Sequence, residues 1–316
     1  FMMLWPGYLL LVFASLVSSC APLMRAVPTL RSLNSNLSMS TGMASPKQMP
    51  AFMYGTAWKK ERTKDLVQLA VKSGFRGIDT ACQPKHYYEP GTGEALQALY
   101  AEGIVTRADI FLQTKFTSLG GQDPNNIPYD PKAPLADCVR RSFETSLQNL
   151  QTSYVDSLVM HSPMPRFSDT LAVWRVFEEL HQSGRVRQLG LSNTYDLRTL
   201  TQLYEAAVVK PSVLQNRFYE DSGYDVEIRQ FCKEHSIRYQ SFWTLTGNPQ
   251  IIKTPEVGRL AKKYLTTREA IFFMYVRALG ITPLTGTSSA EHMQQDLQSL
   301  VRDLEPEDFA VIDAML

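Results

Sequence analysis

From residue 50 onward, the hydrophobic pattern of the chain switches repeatedly between two periods. Short runs rich in β-branched and aromatic residues fall at 51–57, 75–81, 109–116, 154–161, 186–193, 212–218, 237–244 and 280–286. Between them lie stretches with apolar residues at helical spacing. One carries Leu135, Val139, Phe143, Leu147 and Leu150 along a single face. Another runs from Ser168, a candidate N-cap, through Leu171, Trp174, Phe177 and Leu180 to a stop at Gly184. A third carries Leu197, Leu200 and Leu203. Strands that alternate with helices run parallel, because each helix carries the chain back to the start of the next strand. Eight such units predict an α/β fold in one domain, a parallel eight-stranded (β/α)8 TIM barrel without free sheet edges. An open doubly wound sheet is the alternative this pattern leaves. The segment 118–135 is rich in Gly, Pro, Asn and Asp and is expected to lack regular structure. It follows the third strand, so a barrel would put it on the face where catalytic loops gather.

Residues 1–48 stand apart. Residues 8–17 form a short apolar run with no Lys or Arg before it, and the first acidic residue of the chain is Glu61. This segment is expected to be a leader, either a signal or transit segment or a disordered extension, and the barrel to occupy residues 49–316. The four cysteines, Cys20, Cys82, Cys138 and Cys232, show neither metal-ligand spacing nor the density of a disulfide framework. The last three read as reduced thiols, which suits the cytoplasm; the leader leaves organellar or secretory targeting as the alternative. The 316 residues are 44% hydrophobic and 20% charged, with a net charge of +1. That balance carries no electrostatic footprint for nucleic acid, and no stable membrane association of the barrel is expected.

No GxGxxG follows any strand run and no GxxxxGK[ST] occurs, so a bound dinucleotide would not be held in the Rossmann manner. Polar residues recur instead at strand ends. Asp79 closes the second run, Lys115 the third, His161 the fourth and Asn193 the fifth, while Gln215 and Asn216 lie in the sixth. In a barrel these ends converge on one mouth. A charge inside an apolar strand is costly unless paired, so Asp79 and Lys115 invite a joint reading.

Five segments, in order, resemble the aldo-keto reductase family over roughly residues 50–316. GFRGIDTACQPKHYYEPGTGEAL (74–96) resembles its GxRxIDTAxxYxNExxVGxAL segment, and FLQTKF (111–116) its lysine strand. YVDSLVMHSP (154–163) resembles YxDLxxxHxP, GLSN (190–193) resembles G(V/L)SN, and LQNRFY (214–219) resembles xQxExxP. The QPKHY and QDPNN stretches are similar to a branch common in fungi. The resemblance implies a small-molecule carbonyl substrate, an aldehyde or ketone, reduced by hydride transfer without a metal. It implies Tyr87 as general acid, with Tyr88 the competing position because Pro84 stands where the commonest family form has its tyrosine. A free tyrosine, with a pKa of about 10, is too weak a donor near neutrality, and an adjacent ammonium is expected to lower it. Lys115 would supply that ammonium, Asp79 would hold it, and a neutral His161 would orient the carbonyl.

For the cofactor, the resemblance implies NADPH, with NADH the alternative. Ser192, Asn193 and Gln215 would meet the nicotinamide carboxamide, and Phe242 or Trp243 would stack on its ring. Gly55 and Thr56 would lie near the ribose and phosphates, with Asp79 bordering the same site, and Leu245 and Thr246 along the pyrophosphate. Gly286 and His292 stand where many members carry basic residues for the 2′-phosphate; Thr287 with Ser288 and Ser289 could bind a phosphate through hydroxyls and helix amides. Ser162 replaces a common aromatic, and the sequence ends at Leu316, the last residue of EDFAVIDAML. Both suggest an open pocket shaped by the 118–135 loop and Tyr129. A monomer is expected. The second functional reading is a non-catalytic, nucleotide-binding regulatory subunit on the same fold.

Overall fold

The computed structural model describes residues 48–316. The leader reading therefore lies outside the described residues except at its last position. Eight parallel strands close into a barrel in sequence order: β1 (Met53–Gly55), β2 (Gly77–Asp79), β3 (Phe111–Phe116), β4 (Ser157–Met160), β5 (Leu189–Ser192), β6 (Val213–Arg217), β7 (Arg238–Phe242) and β8 (Thr282–Thr285), with β8 returning to β1. Each lies inside one of the eight runs marked by the hydrophobic pattern.

The helices of the crossovers are α1 (Thr63–Ser73), α2 (Glu89–Ala101), α3 (Leu135–Leu150), α4 (Phe167–Gln182), α5 (Leu197–Ala206) and α6 (Val226–Glu234). Then come α7 (Pro249–Ile252), α8 (Pro255–Tyr264), α9 (Arg268–Ala278), α10 (Ala290–Gln298) and α11 (Pro306–Asp313). Alternate strand residues such as Ile78, Leu112, Leu158, Leu191 and Leu214 belong to the buried layer shared with the apolar helix faces. The other parity fills the barrel. There Met53, Phe111 and Leu284 form a small inner cluster. Gly190 is needed because a Cβ there would come within 2.8 Å of the Val213 side chain and carbonyl. Gly93 lets α2 approach α3: a Cβ would lie 2.1 Å from the Asn149 carbonyl oxygen.

Ser168 does not cap α4. The helix starts at Phe167 with Arg166 before it. The Arg166 guanidinium bonds the Asp169 carboxylate at 2.8 Å, and Thr170 Oγ1 accepts from the Met164 amide at 2.8 Å. These contacts secure the first turn, and the serine falls inside it. Gly184 does lie just past the helix, in the left-handed conformation (φ +76) that a tight exit needs.

The segment 118–135 is mostly irregular, with one 3-10 turn at Leu119–Gly121. It is anchored rather than loose. Gln122 Nε2 donates to the carbonyls of Cys82 (2.9 Å) and Thr117 (3.2 Å), and the Tyr129 hydroxyl donates to Thr117 O at 2.9 Å. Tyr129 is buried in the core against Phe116 and is not part of the pocket wall, contrary to the sequence expectation. Its ring is worth more packed under the loop than exposed; Ser118, Gly120 and Gly121 face the cavity instead. No described helix is long and apolar enough to cross a membrane.

Candidate active site

The strand register assembles the polar layer at the barrel mouth. Asp79 pairs with Gln113 across β2–β3, Ser192 with Gln215 across β5–β6, and Gln215 with Gln240 across β6–β7. Lys115, two residues beyond Gln113, shares its inward parity. Its ammonium donates to Asp79 Oδ2 at 2.6 Å, Oδ1 at 2.7 Å and the Thr80 carbonyl at 3.0 Å. Both residues are buried. Burial alone would pull the Lys115 pKa down, but the Asp79 carboxylate and Tyr87 more than offset this and hold it above the ordinary value. The lysine is a permanent cation.

Three glutamines complete the layer. Asp79 Oδ1 also accepts from Gln113 Nε2 (2.8 Å) and Gln215 Nε2 (3.1 Å), and Gln240 Oε1 accepts from both amides at 2.8 Å. Buried polar groups are tolerable when mutually satisfied, and here residues of four strands share one network that includes the ion pair. Gln113 and Gln240 escaped the sequence reading. Their signal was available: Gln113 sits two residues before Lys115 and Gln240 two residues before Phe242.

Tyr87 hangs over this layer from the β2–α2 loop. The amides of His86 and Tyr87 both bond the Gln83 carbonyl, at 3.1 and 3.0 Å, which curls the loop. Glu89 pins its far end. Its buried carboxylate accepts from Thr114 Oγ1 (2.6 Å), Ser146 Oγ (2.9 Å) and Asn149 Nδ2 (3.3 Å), tying α2 to β3 and α3. Burial raises the Glu89 pKa against these donors. Lys115 Nζ lies 5.1 Å from the Tyr87 ring centroid; the His161 ring lies 5.9 Å away, edge-on. Tyr88 is exposed, packs over Gly91 and is not part of the cavity wall.

The phenol is not acidified as expected. Burial raises the Tyr87 pKa, the Lys115 ammonium pulls it down, and Asp79 pushes it up again. Burial is the largest of these effects and outweighs the ammonium, the one effect that spacing alone could name. His161 follows expectation: burial, then Lys115, lower it to about 3, so it is neutral. Its Nδ1 is 2.6 Å from Thr117 Oγ1. Thr117 was missed, although it has the same parity as Lys115.

Tyr87, Thr117 and His161 line a cavity of about 1110 Å³, whereas Lys115 is not part of its wall. Gly55, Ser192, Asn193, Gln215, Phe242, Trp243, Leu245, Thr246, Gly286 and Thr287 also line it, as does Asp79. Thr56 and His292 do not. Thr56 is buried with its hydroxyl on the Asp79 carbonyl at 2.9 Å, and His292 is exposed on the first turn of α10. Ser192 Oγ donates to Gln215 O at 2.7 Å, and Asn193 Nδ2 donates to His161 O at 2.8 Å. Trp58, Asn193 and Trp243, all in the wall, have positive φ of 64, 51 and 62. For the two tryptophans this is a strained conformation of the kind that collects at binding sites. Two cations of the wall were not anticipated. Lys59 bonds the Gly286 carbonyl, bringing an ammonium to the end of β8 from the β1–α1 loop. Arg217, last in β6, points into the cavity beside Phe242.

The sequence model of the Aldo/keto reductase family matches residues 39–249, more than half of the chain. Glyoxal reductase of Bacillus subtilis is 26% identical over 272 residues, covering 85% of this chain and 89% of the relative. The crystal structure of an aldo/keto reductase from Brucella melitensis superposes with a TM-score of 0.72 at 26% identity, covering 85% of this chain and 95% of that one. A mutant of Gox0644 solved in complex with NADPH gives a TM-score of 0.69 at 25% identity, covering 84% of this chain and 89% of that one.

Proposed function

The chain belongs to the aldo/keto reductase family, and on that premise we propose that it reduces aldehydes and ketones to alcohols with NADPH, using Tyr87 as proton donor. The observation that carries this reading is the buried Asp79–Lys115 pair, 2.6 Å apart, under a tyrosine that shares the cavity wall with a neutral histidine.

The cavity suits a dinucleotide. It is large, and it offers amide and hydroxyl groups of Ser192, Asn193 and Gln215 for a carboxamide that both donates and accepts. Phe242 offers an apolar face, and the Lys59 ammonium stands near Gly286 and Thr287 for a phosphate. A relative of this fold was solved with NADPH. When bound, the dinucleotide supplies the hydride. The protein supplies the proton and its management. His161 donates a hydrogen bond from Nε2 to the carbonyl oxygen and orients it. As negative charge develops there, the Tyr87 hydroxyl gives up its proton, and the oxygen leaves as the hydroxyl of the alcohol. The phenolate left behind is stabilised by Lys115, whose position Asp79 fixes. The phenol holds its proton at neutral pH, and the Lys115 charge eases its release as the phenolate forms.

The test is loss of NADPH absorbance when the full chain is mixed with a panel of aldehydes and ketones. Turnover is expected; tight NADPH binding without turnover of any member would favour the regulatory-subunit reading instead.

A further inference from the structure

Charge in the cavity is unbalanced. Asp79 is the one carboxylate among the described wall residues, and Lys115 neutralises it. Lys59 is occupied by the Gly286 carbonyl. Arg217 has no carboxylate partner among the described residues, and its Nε is buried with no hydrogen-bond partner. The resembling pattern xQxExxP has an acid at this place, so the charge here is reversed.

The guanidinium is nevertheless held firmly. Its central carbon lies 4.1 Å from the Trp243 ring centroid and 5.2 Å from that of Tyr219. Trp243 takes up its position through a left-handed backbone (φ 62), and its carbonyl accepts from the Gly247 amide at 2.7 Å. A Cβ on Gly247 would come within 3.1 Å of the Tyr219 Cβ, so the glycine lets the platform close. The Arg217 backbone amide donates to the Tyr195 hydroxyl at 3.0 Å, and that hydroxyl reaches Asn193 Oδ1 at 3.5 Å. Stacking fixes the plane of a guanidinium and leaves its N–H edge for a planar oxyanion. A partly desolvated cation without a partner is costly, which favours one arriving with the ligand.

We propose that Arg217, stacked on Trp243, is an oxyanion-recognition point in this cavity. The anion is a carboxylate carried by the carbonyl substrate or a phosphate of the dinucleotide. The inference rests on the carbonyl-reductase reading.

The full chain, Arg217→Met and Arg217→Gln are compared by two measurements. The first is the ratio of kcat/KM for para-carboxybenzaldehyde to that for its neutral methyl ester. The second is the Kd of NADPH and of NADH from quenching of tryptophan fluorescence. A charge-assisted contact predicts a loss of about tenfold or more in one of them. A fall in the ratio with both Kd values kept assigns the anion to the substrate; weakened dinucleotide binding assigns it to the cofactor. Should Arg217→Met fail to fold, Arg217→Gln carries the test. Unchanged ratio and unchanged Kd values in a folded variant would overturn the proposal. Wild-type protein that turns over neither aldehyde would instead count against the reductase reading.

Discussion

Thr117 Oγ1 lies 2.6 Å from His161 Nδ1, committing one imidazole nitrogen to the protein and leaving Nε2 for a ligand. With the threonine hydroxyl donating, Nε2 carries the proton that a carbonyl oxygen needs. Thr117→Val removes that control. Its kcat/KM for an aldehyde is expected to fall about five- to tenfold, the worth of one neutral hydrogen bond, while Thr117→Ser stays near wild type. The Kd for NADPH should not move. Wild-type kinetics in Thr117→Val would show that the hydroxyl does not set the imidazole.

The pH dependence of reduction follows from two displaced groups. His161 is neutral above about 3. Tyr87 keeps its proton beyond the ordinary tyrosine value of about 10. Neither titrates between them, so kcat/KM should be flat from about pH 5 to 9. A stopped assay across buffers checks this; a bell centred near neutrality would contradict it.

Folding stability should respond to His161 differently. Its folded pKa, about 3, lies below the unfolded value of about 6.5, so the unfolded chain takes up the proton first as pH falls. The contribution is complete above about 6.5 and is lost progressively on acidification toward 3. Urea denaturation at pH 7 and 5 should show wild type losing more stability than His161→Gln. Equal losses would contradict the assignment.

The glutamine layer is a stability device for the site. Gln240→Leu removes the acceptor shared by the Gln113 and Gln215 amides. A cost of about 1–3 kcal/mol is expected for the donors left unpaired. Urea denaturation measures it, and a neutral or stabilising result would mean that these amides find other partners.

Asp79 and Lys115 should separate stability from chemistry. Lys115→Met leaves a buried carboxylate alone and should destabilise by about 3–5 kcal/mol. Adding Asp79→Asn should recover much of that loss in a melting experiment without restoring turnover. A double variant that regained activity would remove the ammonium from the mechanism.

Much of this was legible in the residues. All eight strands lie within runs set by the hydrophobic period, because a buried parallel strand is nearly continuous in apolar residues. Asp79, Lys115 and His161 stood out as polar breaks at strand ends. What the sequence hid depends on distances between strands. Thr117 and Arg217 are ordinary polar residues until the barrel turns them inward. Lys59 reaches β8 from the β1–α1 loop, a contact between positions 227 residues apart. The acidity of Tyr87 was misjudged because it depends on three opposing effects, of which only one could be named from spacing. Tyr129 looked like a loop residue and is a core residue.

The central claim is that Tyr87 delivers the proton, and its most direct test compares NADPH oxidation with an aldehyde by wild type, Tyr87→Phe and Tyr88→Phe. The account predicts a fall in kcat of about 10²–10⁴ for Tyr87→Phe with NADPH affinity kept. It predicts a change within about twofold for the exposed Tyr88→Phe. Abolished turnover in Tyr88→Phe, with Tyr87→Phe still active, would contradict it.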